Sequence, residues 1–164
     1  MTTLSPPDAL ASSEAQLQAE QRISGIVESA MDAIISIDAR QRIVLFNGAA
    51  AQMFRCSAEY ALGRPLEEFI PERFRHAHRG HVVKFGESRQ TGRRMGALAV
   101  LSARRADGEE FPMEASISHV EIAGEKLFTV ILRDVTERQR AAERLDHLHA
   151  VLRSTQRINQ IIGH

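Results

Sequence analysis

At 164 residues the chain fits one domain plus flanking segments, and a domain of roughly 100–110 residues buries a workable core. Its 21 basic and 21 acidic residues cancel and its apolar content of 43% is ordinary for a soluble protein, so nothing argues for a nucleic-acid or membrane surface. No apolar run approaches the roughly 20 residues that span a bilayer, residues 1–10 lack the basic start and apolar stretch of a signal peptide, and the lone Cys56 excludes an intramolecular disulfide and suits a reducing cytoplasm.

Residues 1–12 mix Pro, Ser and Thr without periodicity and read as a flexible start. Beyond them Leu17, Ile23, Ile26 and Val27 recur at near-helical spacing, which predicts an amphipathic helix over 13–31. Its apolar stripe needs a partner, either a sheet face or the same helix of a second subunit. Two short β-type runs follow, 33–38 and 42–47, on either side of a polar turn opened by Asp38, whose side chain can bond the backbone two residues on. Asn47 ends the second run and can cap a small-residue helix over 48–54. Residues 56–71, punctuated by Gly and Pro, suggest short helices and loops. Pro71 then opens a stronger helix, Pro being favoured at the first position, which runs to about Gly86 with Phe74, His78, His81, Val82 and Phe85 along one side.

Alternation over 95–104 and 110–121 predicts two strands joined at Asp107-Gly108, a hairpin signal because the tight turn needs positive φ. Ala123-Gly124 breaks the chain again before a strand over 126–132. Three hairpin-linked strands added to the first pair give a five-stranded antiparallel sheet with helices on one face, an α+β fold. The final helix, over 135–164, starts from Asp134 as N-cap with Glu137 able to reach back as in a capping box. Leu145, Leu148, Leu152, Thr155, Asn159 and Ile162 then alternate by three and four, a coiled-coil spacing.

Three stretches, IISIDARQRIVLFN, RRADGEEFPMEASIS and LFTVILRDVTERQ, resemble bacterial PAS sensor modules, and place such a domain over residues 32–134. The resemblance implies a ligand pocket between sheet and helices, a homodimer held by the N- and C-terminal helices, and a signal leaving through the joint at Asp134 and Thr136. It also implies a downstream effector, such as the histidine kinase of a two-component system or a cyclase. The chain itself carries no catalytic constellation: His147 and His149 lack the Glu-Leu-Arg-x-Pro run of a phospho-acceptor helix, and Glu109, Glu110 and Glu114 read as an exposed hairpin face. Like the domain, the tail 145–164 resembles linkers that lead into further sensor or kinase domains, so a truncated fragment is expected.

The segment PERFRHAHRGHVVKF is similar to the helix that holds haem in FixL-type oxygen-sensor kinases, where a Pro-Glu-x-(Tyr/Phe)-Arg opening precedes the iron-binding histidine. Pro71, Glu72, Phe74 and Arg75 match that opening, and the resemblance puts His78 at the iron-ligand position with haem b as the cofactor. A neutral imidazole facing an apolar cavity is what haem iron needs, and His81 and Phe74 lie one turn on and one turn before. Val82, Met95, Ile117 and Ile131, with Ile35 and Ile37, are the candidate lining. Lys84 stands where those kinases place an arginine against a haem propionate, and Ala99 where they place the arginine that bonds oxygen. A histidine-only metal site is disfavoured, since His76 points about 200° away from His78 on a helix, and the Asn-Cys-Arg-Phe motif of flavin photoreceptors is absent around Cys56. Beside the ligand-responsive sensor stands a second reading, a cofactor-free PAS domain for dimerisation and relay, its pocket filled by Phe54, Phe69, Phe74, Phe85, Phe111 and Phe128.

Overall fold

The computed structural model describes residues 6–88, 92–95 and 101–162, the side chains of 6–8 and 92–95 excepted. In chain order the elements are α1 (Pro6–Ser29), β1 (Ala33–Ile37), β2 (Ile43–Phe46), α2 (Gly48–Phe54), α3 (Ala58–Ala61), a 3-10 turn at Leu66–Phe69, α4 (Glu72–Glu87), β3 (Gly92–Met95), β4 (Leu101–Arg104), β5 (Glu110–Ile122), β6 (Glu125–Asp134) and α5 (Thr136–Ile162). The strands are antiparallel throughout, in the order β2-β1-β6-β5, and β3 and β4 share the remaining edge of β5. The sheet is therefore five positions wide, and its outer position is built from two short segments where the alternation predicts one strand. From Met95 to Leu101 the chain advances six residues while its β5 partners advance only from Ala115 to Met113.

Short-range chemistry fixes the joints. Asp38 accepts the N–H groups of Arg40 and Arg42, both at 2.9 Å, which closes the β1–β2 turn. Gly108 has φ +93° and Asp107 accepts from the Glu109 N–H at 3.0 Å, as the Asp-Gly hairpin requires. Asn47, 1% exposed, caps α2 through the Ala50 N–H at 3.0 Å. The core lies between one sheet face and the layer formed by α2, α3, the 3-10 turn and α4, and is centred on Ile35, Ile37, Phe54, Phe69, Phe111, Phe128 and Leu132.

Two boundaries differ from expectation. Helix α1 begins at Pro6, inside the segment read as flexible, and ends at Ser29. Proline is compatible with a first helical turn because no N–H is needed there, and Ala and Leu after it are strong helix formers. Helix α5 begins at Thr136, so Asp134 belongs to the end of β6 and binds the helix start from one residue further out. Leu10, Leu17, Ile23 and Ile26 on α1 and Leu145, Leu148, Leu152, Ile158 and Ile162 on α5 are each more than half exposed, so neither stripe is covered within one chain. Among the described residues no helix is long and apolar enough to cross a membrane.

Gly86 near the end of α4 marks a close approach. A Cβ there would lie 2.7 Å from Cζ and 3.1 Å from Cε1 of Phe128, a ring only 5% exposed. Gly86→Ala is expected to cost about 1–3 kcal/mol through overpacking. Urea unfolding checks this, and an unchanged midpoint would show that the ring gives way freely.

Candidate functional site

Helix α4 does not lie flat on the sheet: a cavity of about 450 Å³ opens beneath it. The floor is the inward face of three strands, Ile35 and Ile37 on β1, Met113, Ala115 and Ile117 on β5, and Phe128, Val130 and Leu132 on β6. Leu101, Ser102 and Ala103 of β4 close one side, Phe54, Leu66, Phe69 and Ile70 another, and Phe74, Ala77, His78, His81 and Val82 form the roof. Apart from Ser102 and the two histidines every one of these side chains is apolar, a wall suited to a ligand held mainly by burial.

The roof residues follow helical spacing. His78 and Val82 are four apart, as are Phe74 and His78, so all three share the inward face. His78 Nδ1 is buried and has no hydrogen-bond partner. Burial, then the neighbouring His81, pushes the imidazole pKa down to about 4 against the opposing pull of Glu67. The ring is therefore neutral near pH 7 and keeps a lone pair available. Val82 and Ile117 are buried on the wall, while Phe74 and His81 line the cavity and also reach solvent.

Three expected residues stand differently. Ile131 is 42% exposed and faces the other side of the sheet; Phe128, Val130 and Leu132 take the inward positions of β6, one residue out of phase with the prediction. Lys84 is exposed on α4 and is not part of the wall. Met95 pairs with Ala115 through its backbone, but its side chain, like Ala99, lies outside the described residues.

The exit joint contains a residue that the sequence reading missed. Arg105, in the β4–β5 turn and 8% exposed, reaches Asp134 at 2.8 Å, donates to the Met53 carbonyl at the end of α2, and lies 3.9 Å from the centre of the Phe111 ring. Asp134 in turn accepts from both the N–H, at 2.9 Å, and the hydroxyl of Thr136. Burial raises the Asp134 carboxyl pKa, but the bonds from Thr136 and Arg105 outweigh it and hold the group below the usual carboxylate range. Glu137 pairs with Arg140 at 3.3 Å instead of reaching back to form a capping box. On the other side of the joint Arg133 makes a two-pronged pair with Asp32, at 3.0 and 2.8 Å, which ties the α1–β1 connection to the β6–α5 connection. His119 on β5 stands edge-on to Phe85 at 5.0 Å with its Nε2 buried and unpartnered, outside the cavity wall.

Comparison with known proteins agrees with this architecture. The PAS fold pattern matches residues 21–135. The sensor protein FixL of Bradyrhizobium diazoefficiens is 31% identical over 140 residues, covering 85% of this chain and 28% of FixL. An uncharacterized protein of Azorhizobium caulinodans is 34% identical over 136 residues, covering 79% of this chain and 18% of its own length. The chain thus spans less than a third of the curated relatives it matches. The crystal structure of the PAS domain of an HTR-like protein from Haloarcula marismortui superimposes with a TM-score of 0.65 at 21% identity, over 76% of this chain and 98% of that one, a likeness of fold alone. By sequence pattern and by fold, the chain belongs to the PAS family.

Proposed function

We propose that this PAS domain is a cytoplasmic sensor module that binds haem b beneath α4, with His78 as the axial ligand, and relays the change through a homodimer to a downstream effector. One observation carries the reading: an apolar cavity of about 450 Å³ whose wall presents a buried, neutral imidazole with an unpartnered nitrogen. Haem, when bound, supplies an iron centre that responds to a diatomic gas or to redox state. His78 puts a neutral imidazole in the cavity wall; Val82, Ile117 and Val130 exclude water; His81 and Lys84, reaching solvent on the same helix, would offer hydrogen-bonding groups to the propionates. With alanine at the position aligned with the oxygen-bonding arginine of FixL-type kinases, we infer weak oxygen stabilisation and a response to redox state, carbon monoxide or nitric oxide.

Relay from the cavity has a continuous path. Phe54 lines the cavity and meets Phe111 edge-on at 5.6 Å; Phe111 supports Arg105, and Arg105 holds Asp134 at the end of β6, whose carboxylate binds the first residue of α5. A shift of the wall therefore reaches the exit helix through packed and charged contacts. The uncovered stripes of α1 and α5 support pairing with a second copy. The cofactor-free reading is less well supported, because the phenylalanines gather at two ends, Phe46, Phe54, Phe69 and Phe111 at one and Phe85 and Phe128 at the other, and leave the space between them open.

The test is an absorption spectrum during haemin titration, beside a His78→Ala control. A Soret band that saturates at one haemin per chain, and that is lost or shifted to that of weakly held haem in the variant, is the expected result. A spectrum no different from free haemin overturns the haem reading and leaves a relay domain or a sensor of a colourless ligand.

A further inference from the structure

Helix α4 is anchored by buried residues at both ends, Pro71 before its first turn and Val82, Phe85 and Gly86 at its last, and the cavity lies under the stretch between them. At its C-terminal end Val82 and Phe85 are buried, Gly86 packs where no Cβ fits against Phe128, and Lys126 donates to the Gly86 carbonyl. At its N-terminal end the ring of Phe74 lines the cavity yet is 45% exposed, and the Arg73 guanidinium lies 4.5 Å from its centre. That guanidinium makes two parallel 2.7 Å bonds to the two carboxylate oxygens of Glu110, the first residue of β5. Both side chains of the pair are about half exposed. Between the two ends Ala77 and His81 line the cavity and face solvent, so the mouth runs along this helix.

The Arg73–Glu110 pair is weaker than either buried anchor. A buried packed end separates only with loss of apolar contact, whereas an exposed ion pair contributes little and is screened by salt. We propose that Arg73–Glu110 is the latch of an entrance to the cavity, that the stretch of α4 over residues 73–81 moves outward between the buried anchors at Pro71 and Gly86, and that this pair sets how fast a ligand enters and leaves. The proposal rests on the cavity being a ligand site. Phe74 is the moving part of the wall: the cation above its ring is anchored on the sheet, so opening the pair releases the ring from the mouth. Arg104 lies directly across the ladder from Glu110 and also attracts its carboxylate. Removing Arg73 therefore leaves Glu110 near a second cation on the surface, and the domain stays folded.

The experiment compares the wild type with Arg73→Gln, Glu110→Gln and the double variant, using haemin as the probe and amide hydrogen exchange of the haemin-free protein as a second readout. Each single change is expected to raise exchange in residues 74–80 by about two- to fivefold, the range for an exposed pair, with residues 82–86 unchanged. Haemin association and dissociation are expected to quicken by similar factors with little change in Kd, as befits a gate rather than a contact. The double variant should match the singles, and high salt should speed the wild type alone. Unaltered exchange in the singles, or a double variant that is the product of the two, overturns the latch. Raised exchange in a protein that takes up no haemin keeps the latch and discards haem as the ligand.

Discussion

Asn47→Leu is expected to lower the unfolding free energy by about 3–5 kcal/mol, because one buried amide serves four backbone groups. Its Oδ1 accepts from the N–H groups of Ile34 at 2.9 Å and Ala50 at 3.0 Å; its Nδ2 donates to the carbonyls of Val27 at 2.9 Å and Asp32 at 3.2 Å. These belong to the start of β1, the first turn of α2, the end of α1 and the α1–β1 connection. Leucine matches the volume and supplies none of the bonds, and at 1% exposure water has little access to replace them. Asn47→Ser keeps the helix cap alone and should fall between, since a cap is worth about 1 kcal/mol. Urea unfolding at constant m-value measures both. A loss below about 1 kcal/mol for the leucine variant would mean that the α1 end separates from the domain without consequence.

The contrast between that residue and its neighbours shows what is legible in a sequence. Asn47 is readable as a strand end and helix cap, since Ala50 is three residues on, but its bonds to Val27, Asp32 and Ile34 join positions 13 to 20 residues away and leave no local trace. The Asp38 and Asp107-Gly108 turns are readable for the same reason as the cap: donor and acceptor are two residues apart. Parity within β6 is not readable. Leu127, Phe128, Val130, Ile131 and Leu132 are apolar on both faces, so no alternation says which set points inward, and Ile131 is misplaced by one residue.

The site divides in the same way. Helical spacing places Phe74, His78 and Val82 on one face, and the cavity lies where that face points. Nothing local marks Arg105, which sits in a turn whose Asp-Gly explains the backbone and whose main partner is 29 residues further on. Two consecutive arginines before that turn are the only signal, and they do not say that one is partly buried and the other 8% exposed. The start of α1 fails for another reason: a Pro-Pro pair marks a break when it is interior to a pattern and a beginning when a helix follows it.

Arg105→Met is expected to cost about 3 kcal/mol at pH 7 and to loosen the first turn of α5. The aliphatic replacement still covers Phe111, but it strands the Met53 carbonyl and leaves the partly buried Asp134 carboxylate without its cation. The pH dependence separates charge from packing. Because the folded Asp134 pKa lies below its unfolded value, the group's contribution is fully present above the unfolded carboxyl pKa and is lost as pH falls through the folded value. Without Arg105 that depression shrinks, so the gap between wild type and variant should be widest near neutrality and narrow along the acid limb of the stability curve. Asp134→Asn should reproduce the neutral-pH loss only in part, since the amide oxygen still accepts from Thr136. Amide exchange over residues 136–139 follows the helix start directly, and in an intact receptor the same variants should weaken the response of the output to the cavity. A gap of equal size at every pH would assign the loss to packing on Phe111 and remove the charge pair from the relay.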